Sequence, residues 1–131
     1  MNEPVQIDDR VFMKAVRDLV KENPDYVYQV PASSTEGCMY TETDPDTGEL
    51  RGSCLIGQAA IRAGIPIVVV ADWVNWDVRP AAAVLEPHGI TEDIRHWAYS
   101  AQAAQDCETT WRESLKTADR LYHDIDEKEN A

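Results

Sequence analysis

The chain has 131 residues, 44% of them hydrophobic, with 24 acidic against 12 basic side chains, a net charge of −12 and three cysteines. This length supports one domain with one core, and the hydrophobic share argues against disorder throughout. The charge opposes binding to phosphate backbones and anionic membranes, the three thiols without close pairing fit reduced cysteines, and the longest apolar run, Ile65 to Ala71, falls far short of the ~18–20 residues of a membrane span.

In chain order, residues 1–7 read as a loose arm lacking the basic and apolar regions of a secretion signal, so a cytoplasmic protein is expected. Asp8 caps a helix from about Asp9 to Glu22, with Val11, Phe12, Ala15, Val16, Leu19 and Val20 as its apolar stripe. Asn23-Pro24 stops it, because proline disfavours a helical conformation in the residue before it. Tyr26 to Val30 and Cys38 to Glu42 have strand propensity. Asp44-Pro45-Asp46-Thr47-Gly48 is a turn, from which Glu49-Leu50-Arg51 returns as a third strand. The expected class is α+β, a small antiparallel three-stranded meander packed by helices.

Cys54 to Ala63 reads as a helix ended by Gly64. Residues 66–73 are ambiguous: the three valines favour strand, while Pro66 and the Val70–Trp73 spacing allow helix. Pro80 to Glu86 is a short helix. Thr91 then caps a long C-terminal helix over 92–125, followed by a tail, 126–131, that should fray. Its stripe keeps steps of three and four through Trp97, Ala101, Ala104, Glu108, Trp111, Leu115, Ala118 and Tyr122, only Glu108 breaking the apolar series, which reads as a seam for another helix. A straight helix of that length runs roughly 50 Å, beyond the roughly 35–40 Å width of such a domain. It either overhangs and seeks a second copy, giving a homodimer through the seam, or bends near Asp106–Thr110.

Several patterns bear on function. Residues 56–75 have helix-turn-helix spacing, but the second helix would offer Ile67, Val68, Val69, Ala71, Asp72 and Asn75 to DNA, with no Lys or Arg. A DNA-binding regulator is therefore the alternative and not the first reading, and no nucleic-acid or membrane partner is expected. Cys38, Cys54, His88, His96 and Cys107 show none of the local spacings that bring two ligands to one zinc, so no metal or cofactor is expected. Asp44 to Gly48 is no calcium loop, since the twelfth position is Leu55. Cys54, near a helix N-terminus, is the one hint of a catalytic nucleophile. It has no histidine close in sequence, and no catalytic residue is assigned.

Between Lys21 and Arg51 there is no basic residue, while Glu22, Asp25, Glu36, Glu42, Asp44, Asp46 and Glu49 fall in that window. This is either a solvated loop surface or an acidic patch that steers a basic partner, with Glu42, Asp44 and Asp46 at its hairpin. Trp76, in a polar stretch, is the candidate anchor for that partner.

The segments Gly52-Ser53-Cys54-Leu55-Ile56-Gly57-Gln58-Ala59-Ala60 and Ala101-Gln102-Ala103-Ala104-Gln105-Asp106, followed by Trp111 and Ala118-Asp119, resemble short proteins carried by actinobacterial phages and their hosts. The resemblance implies a setting, the cytoplasm of a bacterial host, and no particular activity. The reading at this level is a non-enzymatic, acidic interaction protein that binds a basic host protein.

Overall fold

The first helix, α1, spans Asp9–Glu22 in the computed structural model, which describes residues 4–29, 39–76 and 80–122. The Asp8 carboxylate caps it by accepting the Arg10 N–H at 2.8 Å, and Phe12, Met13, Ala15, Val16, Leu19 and Val20 are buried. Residues 5–7 of the arm before it hydrogen-bond to residues 87 and 88. The Ile7 N–H donates to the His88 carbonyl at 3.0 Å, the Gln6 amide to Pro87 at 2.8 Å, and His88 Nδ1 to the Val5 carbonyl at 2.8 Å.

The fold is α+β and mostly helical, and among the described residues its sheet has two strands where three were expected. β1 (Thr41–Thr43) and β2 (Leu50–Gly52) pair antiparallel, with Glu42 opposite Arg51. The segment expected to be the first strand is used otherwise. The carbonyls of Tyr26 and Pro24 accept the N–H groups of Trp111 and Arg112 at 2.9 and 3.0 Å, and Val27 forms one isolated bridge with Thr110. First-turn N–H groups have no partner inside their own helix, and here this segment supplies one. Val30, and Cys38 at the start of the expected second strand, lie outside the described residues.

α2 (Leu55–Ala63) and α3 (Ile67–Trp76) are joined by Gly64, Ile65 and Pro66, with Gly64 at φ 120°. Residues 67–76 are thus helical despite three valines. The Pro66 carbonyl accepts from Val69 and Val70. Val70 is fully buried, and Trp73 meets Tyr40 edge-on at 5.2 Å, so tertiary packing overrides a modest loss of propensity. Gly57 lets α2 lie on the backbone at Tyr40, since a Cβ there would collide with the Tyr40 carbonyl. α4 (Ala81–Leu85) runs into a 3-10 turn over Glu86–His88.

The expected continuous helix over 92–125 is two helices, α5 (Glu92–Asp106) and α6 (Trp111–Leu121). Cys107 closes α5, Glu108 adopts a left-handed φ of 63°, and Thr109 Oγ1 donates to the Ala104 carbonyl at 2.6 Å. Thr110 restarts the chain as the cap of α6, its hydroxyl accepting the Glu113 N–H at 3.1 Å. α6 then packs against α5 and α1. The would-be seam is therefore largely consumed within the chain. Trp97, Ala101, Trp111 and Ala118 are buried and Ala104, Leu115 and Tyr122 half-buried, so among the described residues no straight helix overhangs the domain. Ile125 and the tail 126–131 lie outside the described residues.

Candidate functional site

The acidic hairpin sits at the surface, but its carboxylates differ in freedom. Asp44 Oδ1 accepts the N–H groups of Asp46 and Thr47 at 2.8 and 3.3 Å, while Oδ2 meets Arg51 Nη1 at 3.3 Å. The Asp46 N–H, then the Thr47 N–H, hold its carboxyl below the usual aspartate value, with Arg51 adding to them. Glu42 lies 3.4 Å from Arg51 Nε. Asp46 and Glu49 are exposed. Asp44 is thus a turn-forming residue as well as a surface charge.

Beside the hairpin lies a groove that no local sequence spacing announces. One hollow of ≈ 420 Å³ is lined by Leu19, Arg51, Gly52, Gln58, Ile61 and Arg62. A second of ≈ 390 Å³ reaches Asn23, Tyr26, Glu42 and Trp111 and shares Arg51, Gly52 and Gln58 with the first. The Arg62 guanidinium grips Glu22 with two hydrogen bonds of 2.6 and 3.0 Å. This pairing lowers the Glu22 carboxyl from its ordinary value and raises Arg62. Gln58 Nε2 donates to the Ser53 carbonyl at 2.8 Å, bracing the groove wall. Glu22 and Arg62 are 40 positions apart, so only the fold brings them together.

Elsewhere, polar side chains in the interior have structural duties. Gln105 and Gln102, one helical turn apart on α5, accept the first N–H groups of α2 and α4, from Leu55 at 2.8 Å and Ala81 at 2.9 Å. Asp119 receives both Arg17 Nη groups at 3.0 Å and Trp97 Nε1 at 2.9 Å. Cys54 is fully buried as the cap of α2, its sulfur accepting the Gly57 N–H at 3.4 Å. Cys107 is exposed, and Cys38 lies outside the described residues. Among the described residues, no group of three or more His, Cys, Asp or Glu is placed to hold a metal ion.

The helix-turn-helix-like pair is present as α2 and α3, but α3 bears no basic residue in its first or last turn and exposes Val68 to 67%. Trp76 ends α3, and its side chain lies outside what the structure describes. Among the described residues, no helix is long and apolar enough to cross a membrane. No family model, no curated protein and no solved structure matches the chain.

Proposed function

We propose that this is a non-catalytic, acidic binding protein whose hairpin face receives a basic protein partner, in the phage and host setting suggested by the sequence resemblance. One observation carries the reading. Glu42, Asp44, Asp46 and Glu49 crowd one surface hairpin in which Arg51 is the sole basic residue, on a chain of net charge −12. Such a patch raises the encounter rate with a cationic surface and makes association salt-dependent. Trp76 belongs to the proposal as an anchor on sequence grounds. Its removal should act on dissociation, as loss of a buried contact does. The burial of Cys54 speaks against thiol chemistry, and the absence of Lys and Arg from α3 speaks against duplex recognition.

The test uses a flexible Lys-Gly repeat peptide as a basic probe in a binding assay across a salt series. Association should slow as salt rises. Asp46→Lys with Glu49→Lys should slow it further, since these two side chains can be reversed without breaking the turn that Asp44 holds. Salt-independent binding, or none, overturns the proposal. A gel shift on duplex DNA that is reproducible and salt-sensitive would restore the regulator reading.

A further inference from the structure

The pairing of β1 with β2 leaves a usable edge. Ser53 donates to the Tyr40 carbonyl at 2.9 Å and Asp44 to the Glu49 carbonyl at 2.8 Å. With the register 42↔51, these fix the hydrogen-bonded pairs at 40–53, 42–51 and 44–49. In an antiparallel ladder the alternate residues turn their backbone groups away from the partner strand. On β2 those residues are Leu50 and Gly52, and each presents an N–H and a C=O outward. Gln58 of α2 packs on the face of the strand at Gly52, its Cγ 2.9 Å from where a Cβ would stand. Leu50 is 43% exposed, and Gly52 forms the wall common to both hollows of the groove.

Edges of this kind are ordinarily protected by a charged side chain, a proline or a covering element. Here the nearby cations are turned elsewhere. Arg51 reaches back over the sheet to Glu42 and Asp44, and Arg62 is held by Glu22. Arg51 answers two carboxylates, and Glu49 stands exposed on the same side of the strand, so the charge beside the edge is negative. Leu19 and Ile61 supply apolar surface along the first hollow, and Tyr26 and Trp111 aromatic surface along the second.

We infer that the β2 edge at Leu50 and Gly52 takes an extended, basic segment of a partner protein as an added third strand. Backbone pairing would hold the segment. Side chains alternating between apolar and basic would lie toward Leu19 and Ile61 on one side and the carboxylates on the other, because successive residues of a strand face opposite ways. The inference rests on the basic-partner reading above and states how that partner is held.

The experiment compares a Lys-Val repeat peptide, which favours extended pairing, with the flexible Lys-Gly peptide and a Glu-Val peptide. Binding is followed by amide chemical shifts and hydrogen exchange in the full chain. The Lys-Val peptide should bind at least ten-fold more tightly than either control and slow exchange at the Leu50 and Gly52 amides. Leu50→Pro removes an outward N–H without touching the β1–β2 ladder, and should weaken Lys-Val binding about ten-fold while leaving Lys-Gly binding unchanged. Equal binding of both lysine peptides with no protection at Leu50 and Gly52 would overturn strand addition and leave the acidic-surface reading standing. Failure of both lysine peptides to bind would overturn both. Tighter binding of the Glu-Val peptide would overturn the assigned charge of the partner. The exchange measurement on the unmodified chain decides the matter even if Leu50→Pro does not fold.

Discussion

Gln105 accepts the backbone N–H of Leu55 at 2.8 Å, and the same oxygen accepts the Trp111 indole N–H at 3.2 Å. One buried side chain thereby ties the start of α2 to the start of α6 across the core. Replacing it with leucine keeps the volume roughly and removes the acceptor, leaving two buried donors without it. Gln105→Leu should cost about 3 kcal/mol and lower the melting temperature by about 10 °C. Thermal denaturation followed by circular dichroism measures this. A change within about 0.5 kcal/mol, the size of an ordinary surface substitution, would show that the bond is replaceable.

The hairpin turn carries a pH dependence of definite sign. Asp44 titrates below its ordinary value of 3.8 because the Asp46 and Thr47 N–H groups bind its ionised form. Its stabilisation is therefore complete above the unfolded value and is lost as pH falls through the lower folded value. Amide resonances of Asp46 and Thr47 should move in that acid window and stay constant through neutral pH. Asp44→Asn, whose amide oxygen can still accept, should hold the turn at acid pH.

Glu108 sits at φ 63°, a conformation that disfavours any residue with a Cβ. Glu108→Gly should stabilise the chain by about 0.5–1 kcal/mol, after the added freedom of glycine in the unfolded state is subtracted. A chemical-denaturation midpoint that rises with unchanged slope is the expected result.

Gly57→Ala should act in the opposite direction. Its Cβ would collide with the Tyr40 carbonyl, which is backbone and cannot swing aside. A loss of about 3 kcal/mol is expected, at the upper end of overpacking costs. The variant should also shift the Trp73 environment, because Trp73 packs edge-on against Tyr40.

Trp111→Glu distinguishes a core from an interface. Trp111 is 1% exposed and edge-on to Tyr26 at 4.7 Å within a single chain. The substitution should abolish the near-ultraviolet dichroism of the folded chain and not merely halve a dimer's mass. A folded monomer released from a dimer would return this residue to an intermolecular seam.

Much of the helical framework was legible because helices are governed by local spacing and local caps. Asp8 and Cys54 do begin helices where the pattern put them, and Gly64 does end one, while Thr91 stands before α5 without a side-chain cap bond, its hydroxyl donating to Asp9 instead. The break after Asp106 had a partial signature as well, since Thr110 followed three positions later by Glu113 is the pattern of a helix start. The break falls at Asp106–Thr110, where the sequence allowed a bend as the alternative to a straight helix, and both helices of a folded-back pair can carry one continuous stripe. The left-handed Glu108 has no such signature. The absence of a third strand among the described residues was illegible for a different reason. Tyr26 to Gln29 have strand propensity, yet the Tyr26 and Pro24 carbonyls accept the N–H groups of Trp111 and Arg112, at the start of a helix far along the chain. The groove is equally non-local, drawing one wall from α1, one from α2 and its rim from β2.

The Arg17–Asp119 pair, closed at 3.0 Å, joins residues 102 positions apart. A ribosome adding about 5–20 residues per second separates their appearance by on the order of ten seconds. Through that interval α1 has α2 to pack on but lacks Asp119 for its guanidinium, and Trp97, made only 22 positions before Asp119, waits for that carboxylate through the last part alone. The nascent chain should therefore pass through a stage in which the α1–α2 pair is ordered and the α5 face waits uncovered. Escape from aggregation then depends on how quickly the last helix docks.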